Sequence, residues 1–148
     1  MCTEMANEVL VASPGTENEV HRRFEVAAAS NGDAVALKWW RGDGDVQKLS
    51  YRSLDELSST AAEALRAHLA AGGGFNDAEK PRVAVLVPDG VEWVASLMAV
   101  LKAGAAFCPL DARVPLPRLA FMLADVAPRL LIAPLALVAR CQLCCWSE

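Results

Sequence analysis

The sequence predicts an α/β fold: a parallel βαβαβ layer preceded by a helix, a β-hairpin and a long helix. Three observations lead there. Short apolar runs alternate with segments of helical periodicity from residue 82 to residue 132, and strands separated by helical crossovers imply a parallel sheet. Upstream, leucine and alanine recur at helical spacing between Ser53 and Leu69, and the run ends at Gly72-Gly73-Gly74. The composition fits a packed core, because 54% of the 148 residues are hydrophobic and 22% charged, far from the regime in which a chain stays disordered.

Residues 1–15 show no period and end in Ser13-Pro14-Gly15, so they read as a loose leader. Thr16-Glu17-Asn18-Glu19 has the form of a capping box that starts a helix. Behind it Val20, Phe24, Ala27 and Ala28 share a face, and Asn31-Gly32 is expected to close the helix in a left-handed turn. Ala34–Trp40 and Gln47–Tyr51 form the two arms of a hairpin, with Arg41-Gly42-Asp43-Gly44-Asp45 as its loop. From Ser53, paired with Glu56 as a second capping box, Leu54, Leu57, Ala61, Leu65 and Leu69 mark the inner face of a helix of about five turns. Residues 75–81 are a polar connection.

Arg82–Val87 reads as a buried strand, Val91–Ala103 as a helix and Ala105–Cys108 as the next strand. Gly104 suits a left-handed residue turning helix into strand, and Lys102 suits the negative end of that helix. Pro109 ends the strand by removing a ladder donor, and Pro115 and Arg118 open a second helix. Leu119, Met122 and Leu123 form its inner face, and Arg129–Ile132 is the closing strand.

Charge and cysteine usage narrow the function classes. Fourteen basic and eighteen acidic side chains give a net charge of −4, no footprint for nucleic acid or an anionic membrane. The apolar stretch Leu130–Val138 is broken by Pro134 and is about half the roughly 20 residues of a spanning helix. Five cysteines, with Cys2 and Cys108 far apart and Cys141, Cys144 and Cys145 clustered, do not form a disulfide framework. A soluble protein of a reducing, cytoplasmic-type compartment is expected.

Each motif that suggests chemistry has a simpler structural explanation. The turn Pro88-Asp89-Gly90 has one glycine where a dinucleotide fingerprint needs three, and Leu110-Asp111 carries no sign of a ribose-binding acid. Gly72-Gly73-Gly74 lacks the Gly-Lys-Ser/Thr ending of a phosphate loop. Asp43 and Asp45 lack the remaining ligands of a calcium loop. The C-x-x-C at Cys141–Cys144 falls short of four zinc ligands, since the two histidines, His21 and His68, lie more than seventy residues away. Neither histidine has a nucleophile or orienting carboxylate beside it in a catalytic arrangement. No catalytic, cofactor-binding or metal-ligating residue is therefore assigned.

The run Leu101-Lys102-Ala103-Gly104-Ala105-Ala106-Phe107-Cys108-Pro109-Leu110-Asp111 resembles the second core motif of the adenylate-forming superfamily, which contains acyl-CoA synthetases and the adenylation domains of nonribosomal peptide synthetases. The resemblance continues through Pro115, Arg118-Leu119, Met122-Leu123 and Asp125. Leu49-Ser50-Tyr51-Arg52-Ser53-Leu54 is similar to the first core segment, with Ser53 in place of its usual glutamate, and Val20–Glu25 and Asp33–Leu37 also match. It covers residues 18–133, so residues 16–133 are expected to be part of the N-terminal domain of that fold, an incomplete domain. Ala112, Val114, Pro117 and Cys108 depart from the family wording, and residues 134–148 form a divergent, cysteine-containing tail.

The resemblance implies an activity that belongs to a longer chain. An intact member would activate a carboxylic or amino acid with ATP and Mg2+ and pass it to a thiol, that of CoA or of phosphopantetheine. The wording Pro109-Leu110-Asp111 and Pro115-x-x-Arg118-Leu119 is closer to amino-acid-activating members. The family's phosphate loop, ribose-holding acid, acid-selecting pocket and C-terminal lysine would all follow residue 133. Losing one such group commonly costs about a hundredfold or more in rate, so the chain alone is expected to be inactive, a truncated portion of the enzyme. The alternative is a non-catalytic interaction fragment. Unpaired sheet edges also lead one to expect weak stability or self-association.

Overall fold

The computed structural model describes residues 19–40, 44, 46–71 and 80–142, the last four by backbone alone. The elements run α1 (Val20–Ser30), β1 (Val35–Trp40), β2 (Val46–Ser50), α2 (Tyr51–Ala71), β3 (Arg82–Val85), α3 (Val91–Lys102), β4 (Ala106–Pro109), α4 (Leu116–Val126), β5 (Leu130–Ile132) and α5 (Leu135–Gln142). β1 and β2 form an antiparallel pair, and β3 lies between β4 and β5 in a parallel sheet. This is the α/β order read from the sequence. Thr16, the hairpin tip at Asp43 and Asp45, the triple glycine at 72–74, and Cys144 and Cys145 lie outside the described residues.

Strand alternation sends the helices to opposite faces. Val83 and Val85 pack with Val100, Ala105 and Leu69 on the side of α2 and α3, while Ala84 and Leu86 pack with Leu110, Leu119 and Leu123 on the side of α4. Val83, Ala84 and Val85 are all fully buried, as a central parallel strand requires. The exchange of faces follows from topology. β4 is added on one side of β3 and β5 on the other, so two right-handed crossovers place α3 and α4 on different faces.

The ends of α3 and α4 carry the backbone signals expected of such turns. Gly104 has φ +79, with its amide on the Leu101 carbonyl at 3.0 Å and the Ala105 amide on the Val100 carbonyl at 3.1 Å, the double closure of a Schellman motif. Ala127 ends α4 in the same left-handed region, at φ 44, without being glycine.

Several local expectations are corrected. Asn31 closes α1 at φ −133, outside the left-handed region, by donating its amide to the Ala27 carbonyl at 2.8 Å. Val20 is 66% exposed, so the inner face of α1 is Phe24, Ala27 and Ala28. Tyr51 is the first residue of α2 and not the end of the strand, and the capping hydroxyl is that of Ser50, which accepts from the Ser53 amide at 3.2 Å. The buried stripe of α2 is Leu54, Ser58, Ala62 and Leu69, whereas Leu57 is 49% exposed. Pro115 stands at the N-cap of α4, and Pro117 is the proline inside its first turn.

Candidate functional site

Because β3 and β4 hand the chain to helices on opposite faces, their carboxyl ends part and leave a cleft between the two following turns. Open α/β sheets place ligand crevices at such switch points. The cleft holds about 440 Å³ and is floored by Val87, Pro88, Trp93, Pro109 and Leu110. Gly90, with φ +155, starts α3 behind it, in a backbone region open almost only to glycine. The turn thus contains the single glycine seen in the sequence.

The polar rim consists of Asp89, Asp111 and Arg113. Asp111 accepts from the Arg113 side chain at 2.9 and 3.1 Å through Nε and at 2.9 Å through Nη2, and from the Arg113 backbone amide at 2.8 Å. These bonds, the side-chain ones first, hold the Asp111 carboxyl below its ordinary range, against the small opposing effect of desolvation. Arg113 is raised in turn by Asp111 and then by the charge of Asp89. The guanidinium is committed to Asp111, so two carboxylates share one cation and no positive excess remains for a phosphate. Among the described residues the lining is Val87, Pro88, Asp89, Trp93, Pro109, Leu110, Asp111, Ala112 and Arg113, without a Ser, Thr, Cys, His or Lys to serve as nucleophile or neutral-pH base.

A polar centre with four acceptors lies away from the cleft. The Lys102 ammonium, 3% exposed, reaches Asp55 Oδ1 at 2.6 Å, Ser58 Oγ at 2.8 Å, Ser59 Oγ at 2.9 Å and the Asp55 carbonyl at 3.2 Å. Ser58 is fully buried and donates to the Asp55 carbonyl at 3.1 Å. The ammonium also lies 5.4 Å from the Phe24 ring, and Arg66 donates to the Lys102 carbonyl at 3.0 Å. Lys102 thus joins α1, α2 and α3. Sequence reading expected only a charge matched to the end of α3. The missed signal was the serine pair on the inner face of α2, a polar interruption of an apolar stripe.

The residues weighed for catalysis do not converge. His21 is 3.1 Å from Glu19, in a second groove of about 460 Å³ at the opposite, amino end of the strands. His68 is exposed on α2, with Nδ1 2.8 Å from the Ala64 carbonyl. Among the described residues no cluster of three or more His, Cys, Asp or Glu could hold a metal ion, and no helix is long and apolar enough to cross a membrane. The described residues of the cleft do not fit ATP with magnesium: the Arg113 guanidinium is held by Asp111, and they contain no metal-ligand cluster.

Geometry defines the class: an open α/β layer with a switch-point cleft and a scaffold locked by a buried lysine. The chain belongs to the AMP-binding enzyme family, whose sequence profile matches residues 24–144. It is 36% identical over 127 residues to chondramide synthase cmdD of Chondromyces crocatus, covering 85% of this chain and 3% of that protein. It is 38% identical over 109 residues to surfactin synthase subunit 3 of Bacillus subtilis, covering 74% of this chain and 8% of that one. Among solved structures, the N-terminal subdomain of Klebsiella oxytoca NpsA superposes with a TM-score of 0.61 at 24% identity, covering 78% of this chain and 27% of that one. CmiS6 gives 0.63 at 23% identity, covering 82% and 28%. The fold is therefore that of the N-terminal part of adenylation enzymes, and the chain spans a small fraction of its relatives' length.

Proposed function

We propose that this chain is a scaffold segment of an amino-acid-activating adenylation domain and forms no adenylate by itself. The observation that carries the reading is the family match over residues 24–144, which takes in both strand–helix units around the cleft. The reaction of the complete domain would join an amino acid to AMP from ATP with Mg2+, releasing pyrophosphate, and then pass the aminoacyl group to a phosphopantetheine thiol, releasing AMP. Stabilising charge at the transferring phosphoryl group requires preorganised cations. The one guanidinium among the described residues of the cleft is held by Asp111, so those groups would come from polypeptide outside this segment. The spacing of the cysteines supports a reducing, cytoplasmic-type compartment.

The test is capture of the endogenous polypeptide with an antibody against residues 82–125, followed by amino-acid-dependent ATP–pyrophosphate exchange. A species much larger than 15.8 kDa that exchanges with one or a few amino acids is the expected result. A captured species of this size alone, binding neither ATP nor amino acid, would refute the adenylation reading. It would favour a non-catalytic interaction fragment, for which the outer edges of β4 and β5, unpaired among the described residues, speak.

A further inference from the structure

We propose that the outer face of the β1–β2 hairpin docks an extended acidic segment of a partner polypeptide, which sets carboxylates on Lys38 and Lys48 and an apolar side chain on Trp40 and Val46. The inference stands on the hairpin alone and does not depend on the adenylation reading. The strand register pairs Lys38 with Lys48 and Trp40 with Val46. Side chains alternate faces along a strand, so these four share one face, and Leu37, Trp39, Gln47 and Leu49 share the other. The second face is half-buried, and α2 contacts both strands. All four residues of the first face are exposed, Trp40 at 71% and Val46 at 37%.

Two features of this face are unfavourable for the chain by itself. Directly opposed side chains of an antiparallel pair have Cβ atoms about 4.5–5.5 Å apart, and like charges so placed are destabilising. Lys38 and Lys48 stand in that relation, and among the described residues neither has a hydrogen bond or ion pair. Beside them Trp40 exposes an indole ring, the kind of group that anchors interfaces. Lysines that only keep a strand edge from aggregating need neither face each other nor flank an exposed tryptophan. A carboxylate between the two ammoniums and an apolar group over the indole offset both features at once.

The pattern fixes the chemistry of the ligand. The lysine pair and the Trp40–Val46 pair lie two residues apart along β1, a rise of about 6.6 Å. An extended segment laid over the face turns every second side chain toward it at the same spacing. It therefore carries an Asp or Glu at one position and a large apolar residue two positions on. Other anionic partners fit less well. Nucleic-acid binding rests on many phosphate contacts, and anionic lipid surfaces are met by clusters of about 4–8 basic residues, whereas this face offers one cationic pair in a chain of net charge −4.

Fluorescence anisotropy tests the proposal, with the full chain and a capped, labelled peptide in which Glu and Leu alternate, separated by single Ser residues. Saturable binding with a Kd below about 1 mM is expected. It should weaken about tenfold when Gln replaces the peptide's Glu, and about tenfold in Trp40→Ser. Lys48→Glu separates recognition from folding. The change turns a repulsive cross-strand pair into an attractive one, so the urea midpoint should hold or rise while peptide affinity falls about tenfold or more. No saturable binding, equal binding of the Glu and Gln peptides, or unchanged affinity in Lys48→Glu would overturn the proposal. Tighter binding to phosphatidylserine vesicles than to the peptide, or Trp40-dependent dimers in sedimentation, would overturn it too, by assigning the face to a membrane or to a second copy.

Discussion

Replacing Lys102 with methionine should destabilise the chain less than replacing its partner Asp55 with alanine. The Lys102 side chain is 3% exposed and that of Asp55 34%. Breaking a buried pair by removing one partner costs about 3–5 kcal/mol, chiefly because the charge left behind is uncompensated. In Lys102→Met the orphan is Asp55, whose carboxylate reaches water, and methionine keeps the apolar stem in place. That lowers the expected loss to about 2 kcal/mol. In Asp55→Ala the orphan is a buried ammonium left with Ser58 Oγ, Ser59 Oγ, a carbonyl and the Phe24 ring but no counter-charge, and a loss of about 3–4 kcal/mol follows. Urea unfolding of the purified chain reads both. With a slope of about 1.5 kcal/mol per molar, the midpoints should fall by about 1.3 M and about 2–2.7 M. The double variant should lose less than the sum, because neither orphan remains. A Lys102→Met midpoint equal to the parent, or lower than that of Asp55→Ala, would refute the assignment of this centre as a buried lock.

Other consequences are open to the same assay. Gly104→Ala should cost about 1 kcal/mol from backbone strain alone, since a Cβ there meets nothing within 4 Å. Ala127→Gly should instead stabilise by up to about 1 kcal/mol, because it relieves a left-handed alanine. Ser50→Ala removes the cap of α2 and should cost about 1 kcal/mol. Arg113→Gln should raise the Asp111 carboxyl titration, followed by NMR, toward its ordinary range. A depressed carboxyl stabilises the fold above its unfolded pKa. Any advantage of Arg113 over Gln is therefore present at neutral pH and fades as pH falls through the folded value.

The parallel layer was legible because its signals are local: apolar runs at residues 82–87 and 130–132, helical spacing between them, and Gly104 at a helix end. The two crossovers then left one handedness to consider. The Lys102 centre was not legible, because its members lie 43 to 47 residues apart and only tertiary packing turns Ser58 and Asp55 toward the end of α3. The same packing moved the inner stripe of α2 off Leu57. The start of α2 was missed by three residues because Ser50 and Ser53 both suit a cap, and the hairpin register decides between them. The cleft followed from topology. Its rim did not, since the grip of Asp111 on Arg113 depends on the turn conformation after β4.

As proposed, these residues form a family scaffold without the groups that transfer an adenylyl unit. ATP–pyrophosphate exchange by the purified 148-residue chain, run against a panel of amino acids with Mg2+ beside the captured longer polypeptide, tests it most directly. Exchange is expected from the longer polypeptide and none above background from the chain alone. Amino-acid-dependent exchange by the chain alone, abolished when its own residues are substituted, would contradict it.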